Sequence, residues 1–278
     1  MNLPDPKEFR TVWGLSCVEN QVMLYLRQLN FDYRFVFEDS LLSLSEMEDR
    51  IFCQKKRYVD PGMVPRLQDQ LRKRGILELN KHCEGLDALL EWAHEDDNKG
   101  ICLMQITPDF SLNILHARGW RGDHFIRLQN NGGLTVLNDI PPLLISILPD
   151  ELKRAYAGTF LSIRLVRRDG MIAQNPAAFE RLRSHQGEKT NREDGFIPTG
   201  REVYELLLCY RVLRWRAREY ASLFMNVDKI DDCLRNVEKL QMKAAYNLLH
   251  DAGVTETGNI LNTLRKLDRS LTDSIRQS

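Results

Sequence analysis

The sequence has no excess of charge of either sign: lysine plus arginine and aspartate plus glutamate each number 39 in 278 residues. A neutral chain has no global attraction to nucleic acid or to an acidic membrane surface, so neither is expected as a partner. Local basic stretches (Lys55-Lys56-Arg57, Arg72-Lys73-Arg74 and Arg211 to Arg218) read as solvated helix faces. Long hydrophobic runs are missing too. The most apolar windows, Ile101 to Ile106 and Pro141 to Leu148, are far too short to span a bilayer. The opening Met1-Asn2-Leu3-Pro4-Asp5-Pro6 carries no basic region followed by an apolar run, so no signal peptide is expected and a cytoplasmic protein is the reading. Internal repeats and low-complexity tracts are absent. Cys17, Cys53, Cys83, Cys102, Cys209 and Cys233 include no C-x-x-C pair, and His82-Cys83 with His94 lacks the spacing of a zinc site. Neither a metal nor a disulfide framework is expected.

What the chain does have is 43% hydrophobic residues, ample for one large domain or two smaller ones. Residues 1–100 read as mainly helical, 101–170 carry strand signals, and 171–278 read as helical again. Val18, Val22, Leu26 and Leu29 mark one helix face, and Ser16 with Glu19 fits the Ser-x-x-Glu capping box. Ser16 is then the N-cap and Cys17 the first helical residue. Further helices are expected near Ser45 to Gln54, Val64 to Arg74 and Cys83 to Glu95. Ile101 to Ile106 reads as a strand. Asp123 to Leu128, the turn Asn130-Asn131-Gly132-Gly133 and Leu134 to Leu137 read as a hairpin, and Ser162 to Arg167 as one more strand. Residues 173–200 read as a linker or loop. Helices are expected over about 201–224, 227–250 and 255–275, the last with a stripe of Ile260, Leu264, Leu267, Leu271 and Ile275 that allows a homodimer.

The chemistry concentrates on Cys17. A thiol acts as a nucleophile when ionised, and a helix N-terminus with its unpaired N–H groups lowers a thiol pKa. Glu19 acts in the opposite direction. His124, at the start of the hairpin, is the candidate base. The returning strand ends in Asn138-Asp139, so either residue could reach the imidazole and hold its tautomer. The catalytic set is Cys17, His124 and Asp139, with Asn138 as the alternative orienter. Cys83, His82 and His116 are the rivals, and His94 reads as a solvated helix-end residue. Trp13 and Trp120 flank the set and, with Asn20, are candidates for substrate contact; core packing is the competing reading for the tryptophans. Arg211, Arg214, Arg216 and Arg218 offer either a basic docking face or ion pairs with Glu202, Glu205 and Glu219.

These stretches resemble the papain-like superfamily, where the cysteine opens a helix and the histidine and Asp/Asn follow on strands. The segments Gly14 to Asn20, Ile101 to Ile106, Gly122 to Ile126 and Val136 to Pro142 are similar, more closely, to the N-terminal domain of the butirosin BtrH-type acyltransferases. The similarity covers about residues 10–145, with a fainter one in Arg211 to Phe224. It implies an α+β fold: a papain-like catalytic domain over 1–170, with a Cys-bearing helix and a sheet carrying His and Asp, and a helical region over 171–278. It implies an acyltransferase of natural-product biosynthesis. Cys17 would take an acyl group from an acyl carrier protein or similar thioester, whose phosphopantetheine arm belongs to the substrate, and pass it to a small-molecule or peptide amine or alcohol. No cofactor is needed. The alternatives are a cysteine hydrolase (thioesterase or peptidase) and a non-enzymatic binding protein with a degenerate papain-like fold. The chain departs from papain-like enzymes at Thr11, where they carry an oxyanion-hole Gln; Trp13, Asn20 or Gln21 could supply that donor.

Overall fold

The computed structural model describes residues 15–93, 100–113, 123–130, 132–167, 197–250 and 253–276. These residues divide into two compact units. Residues up to Tyr33 and from Arg66 to Arg167 form the first; Arg34–Pro65 and Ile197 onward form the second. By sequence order 34–65 falls within the expected 1–170 domain, and its helical pattern carries no sign of which core it joins.

The first unit is α+β. It contains α1 (Cys17–Gln28), α3 (Leu67–Lys73), β1 (Leu77–His82), α4 (Leu86–Ala93), β2 (Ile101–Ile106), α5 (Pro108–Asn113), β3 (Phe125–Asn130), β4 (Leu134–Asn138), β5 (Leu143–Ser146), α6 (Pro149–Ala155) and β6 (Tyr156–Leu165). One six-stranded sheet runs in the order β1-β6-β2-β3-β4-β5, and every neighbouring pair is antiparallel. The expected hairpin is β3–β4, with Asn130 opposite Leu134 and Arg127 opposite Leu137. Alternation along the strands splits the side chains between two faces. One face presents Cys102, Met104, Ile126, Leu128, Val136 and Phe160 to Leu89 and Ala93 of α4 and Leu152 of α6. On the other, Leu137 packs against Leu24 of α1 and Arg127 donates to the Gln28 side chain at 2.7 Å.

Local chemistry fixes where α1 begins. The Ser16 hydroxyl accepts from the Glu19 N–H, and the Glu19 carboxylate accepts from Ser16 in return, which is the expected capping box. The second Glu19 oxygen accepts from the Leu67 N–H at 3.0 Å and ties α1 to α3. This carboxylate is therefore occupied and buried.

The second unit is helical. It has a 3-10 segment (Arg34–Ser40), α2 (Leu44–Glu48) running into a π turn (Asp49–Cys53), and three long helices, α7 (Gly200–Ala221), α8 (Asp228–Leu249) and α9 (Val254–Arg276). α8 buries Ile230, Cys233, Val237, Gln241 and Ala244, one face at helical spacing. In α9, Ile260, Leu264, Leu271 and Ile275 of the expected stripe are inside this unit's core. That stripe is thus used within the unit and is not a dimer surface. The Arg-rich run of α7 is also turned inward. Arg214 donates to Asp268 at 2.8 Å and to the Leu42 carbonyl at 2.8 Å; Asp268 also accepts from the Tyr210 hydroxyl at 2.9 Å. Arg216 is buried against the Pro65 carbonyl and the Phe37 ring. Arg211 pairs with Glu238, and Arg218 with Asp231 and Glu219. Glu202 pairs with Lys55, and Glu205 accepts from the Tyr58 N–H. A basic docking face on this helix is overturned: these guanidinium groups face partners within the unit, two of them in its core.

No helix among the described residues is long and apolar enough to cross a membrane, and no cluster of metal-ligating side chains occurs among them.

Candidate active site

The sheet brings three chain segments to one end. β2 ends there, β3 starts there and β4 finishes there, with the Ile106 N–H donating to the His124 carbonyl at 3.0 Å. The N-terminus of α1 reaches the same place. The Cys17 sulfur accepts the Phe125 N–H at 3.4 Å. Two covalent bonds separate that nitrogen from the His124 Cα, so the Cα lies within about 6 Å of the sulfur. Residues 107 positions apart are thus neighbours in space.

The imidazole is oriented by Asn138. His124 Nε2 and Asn138 Oδ1 are 2.7 Å apart, and Asn138 Nδ2 donates to the Pro141 carbonyl at 2.8 Å. A carbonyl oxygen only accepts, so it fixes which end of the amide faces it. Asn138 Oδ1 then faces the imidazole, and Nε2 must carry the proton. In the neutral ring the lone pair is on Nδ1, which is buried. Among the two orienters left open by the sequence, the ring bonds to Asn138. Asp139 is the next residue along and takes a different partner, accepting from Asn20 Nδ2 at 2.9 Å.

Asp139 still acts on both neighbours through its charge. Burial raises its carboxyl pKa, while the Asn20 amide, His124 and the backbone N–H groups of Asp139 and Ile140 lower it. Cys17 is 9% exposed and His124 only 2%. The thiol is pushed up to about 11: burial is the largest cause, the Asp139 charge adds to it, and the N–H groups of Phe125, Val18 and Cys17 oppose it. The expectation that the helix N-terminus lowers this pKa is therefore corrected. The N–H groups do act in that direction, but desolvation of the sulfur outweighs them.

Asn20 and Gln21 do not serve as oxyanion donors in this arrangement. The Asn20 amide is committed to Asp139, and Gln21 Nε2 donates to the Leu137 carbonyl at 2.9 Å. Thr11, Trp13, Trp120, His94 and His116 lie outside the described residues, as does most of the expected linker. The rivals lie elsewhere. Cys83 does not open a helix, because α4 begins at Leu86. His82 stacks on Phe160, contacts Ser162 at 2.9 Å and is 3.4 Å from Glu84. The six cysteines are all thiols.

The sequence leaves Asn138 and Asp139 open as the orienter and carries no signal for the role of the Pro141 carbonyl. The usable signal was the adjacency of an amide and a carboxylate before two prolines, which marks two orienters but not their order of use. No protein-family model matches the chain, and no curated protein matches it either.

Proposed function

We propose that the chain is a cysteine acyltransferase that takes an acyl group from a thioester onto Cys17 and transfers it to an amine or alcohol. The observation that carries this reading is the meeting of the Cys17 sulfur, at the first turn of a helix, with the segment bearing a histidine whose tautomer leaves Nδ1 as the basic nitrogen. The resemblance to papain-like domains of the BtrH type supports it.

The steps balance as follows. Cys17 Sγ attacks the thioester carbonyl carbon while its proton passes to His124. The carbon–sulfur bond to the leaving thiol breaks, and that thiol takes the proton. An amine then attacks the acyl-Cys17 carbonyl, His124 accepts its proton, and the Cys17 sulfur leaves and is reprotonated. The N–H groups of Cys17 and Val18, at the start of α1, favour negative charge on the sulfur as it leaves. A thioester on a carrier-protein arm is a donor of the right energy, because exchange between thioesters is nearly balanced and amide formation runs downhill.

The test is incubation with an acyl-pantetheine thioester followed by peptide mass spectrometry. The expected result is acyl on Cys17, its absence in Cys17→Ala, and amide product when an amine is added. Equal turnover with water alone would make the chain a hydrolase. A second reading, a non-catalytic protein, is favoured by one observation, the thiol held near pKa 11. Acylation of the exposed Cys53 and Cys83 with none at Cys17 would establish it.

A further inference from the structure

The large apolar side chains that remain exposed are concentrated at one end of the helical unit. Of ten among the described residues, six are Ile197, Met242, Tyr246, Leu248, Leu249 and Val254. Met242, Tyr246 and Leu249 are spaced by four and three, so they form one outward stripe on the last turns of α8. The start of α7 and the start of α9 lie at the same end of the unit, against Leu248 beside that stripe. A Cβ placed on Gly200 would lie 3.3 Å from Leu248 Cδ2 and 3.7 Å from Thr257 Oγ1. Ile197 lies three residues before Gly200, just ahead of α7, and Val254 lies three residues before Thr257 within α9.

The fractional exposures run from 39% for Leu248 to 82% for Leu249. With a large side chain presenting roughly 200 Å2 when fully exposed, the six together leave roughly 700 Å2 open to water. That exceeds the ~300–600 Å2 of the largest patch on a typical monomer. Paired with an equal patch, it gives roughly 1,400 Å2, within the range of a stable, specific interface. Exposed groups of both signs border it: Lys239 and Lys243 on α8, Glu256 at the start of α9. Charges of both signs on one patch allow a two-fold rotation to bring the lysines of one copy to Glu256 of the other.

We propose that this end of the helical unit is the interface of a homodimer, with the occupant a second copy of the chain. The lysines of one copy face Glu256 of the other, and the apolar stripes meet at the centre. The dimer surface is then the outer stripe of α8 rather than the leucine stripe of α9. This assignment is independent of the chemistry at Cys17.

The test is sedimentation equilibrium of the full chain from 0.5 to 100 µM. The expected result is a mass approaching twice 32.4 kDa within that range. Leu249→Glu should weaken association at least 100-fold with helical content unchanged. Lys243→Glu and Glu256→Lys should each weaken it several-fold, and the double variant should recover most of the loss. A monomer throughout the range overturns the proposal. So does a dimer unaffected by Leu249→Glu, which would place the interface elsewhere.

Discussion

In the resting protein, Cys17 should be a slow thiol that speeds up steeply with pH. With a pKa of about 11, about one molecule in a thousand carries thiolate at pH 8. Free cysteine, with a pKa near 8.5, is about a quarter ionised there. Ionisation alone thus slows Cys17 by roughly 250-fold. A more basic thiolate is the better nucleophile, and a Brønsted slope of about 0.45 returns roughly a factor of ten. The net expectation is alkylation roughly 20-fold slower than free cysteine, before any obstruction by the surrounding side chains. The assay is iodoacetamide labelling with peptide mass spectrometry, resolved by cysteine, from pH 7 to 11. The Cys17 rate should climb about tenfold per pH unit and bend near 11. Asp139→Asn removes a charge that raises the thiol pKa, so the bend should move down and the pH 8 rate rise roughly 3- to 10-fold. If Cys17 instead outpaces free cysteine at pH 7, the sulfur exists as a thiolate paired with imidazolium, and the reasoning from burial is refuted.

Asn138→Ala leaves the His124 Nε2–H without its acceptor and should cost about 1–3 kcal/mol in a urea titration. It should also lower acyl transfer by at least about tenfold, because the tautomer is no longer held. Stability should fall on the alkaline side. The Cys17 pKa is raised on folding, so its contribution is complete below the unfolded value near 8.5 and is lost as pH rises through about 11; Cys102, pushed to about 12, adds to the loss. Urea midpoints at pH 8 to 11 measure this, and Cys17→Ser should flatten the slope. Gly100→Ala should reduce soluble yield or lower Tm sharply, because Gly100 has φ +141° and a Cβ there would lie 2.2 Å from the Ile163 carbonyl oxygen.

What was legible in the sequence was local. The start of α1 was readable because Ser16 and Glu19 cap each other across three residues, and the β3–β4 turn because glycines sit between two apolar runs. β1 was missed because Leu77 to His82 is an edge strand with Glu, Asn, Lys and His among its residues and hence no apolar run. β5 was missed because it is four residues long and follows Pro141-Pro142, which read as a stop, and α6 because it is only seven residues long. The choice between Asn138 and Asp139 depends on a carbonyl three residues away that fixes an amide, and no residue pattern reports it. The ionisation of Cys17 is set by how much protein surrounds the sulfur, a tertiary quantity. The α7 arginines misled for a related reason: the spacing of a solvated charged face is also that of a face buried against Asp268 and the chain near Pro65.

Asp139 joins the stability of the first unit to the proposed chemistry. Its pKa is raised on folding, so protonation favours the folded state most strongly at acid pH, and the ionised form at neutral pH carries a net cost. Replacing it with Asn should therefore stabilise the protein at neutral pH, where the carboxylate is disfavoured by its burial. The new amide would also bring a donor beside Asn20, whose buried Oδ1 has no hydrogen-bond partner among the described residues. A carboxylate retained at such a cost is best explained by its action on its neighbours. It disfavours a thiolate at Cys17, and it attracts a positive charge placed on the neighbouring imidazole, the same attraction that lowers its own pKa. These two effects oppose each other for a preformed thiolate–imidazolium pair. They agree once the sulfur has bonded to the acyl carbon and its proton has reached His124. The charge thus suits proton transfer that accompanies attack rather than precedes it. Asp139→Asn should accordingly make Cys17 easier to alkylate yet slower to accept an acyl group. If acyl transfer rises in parallel with alkylation, the carboxylate does not assist the proton transfer, and this account of its retention is wrong.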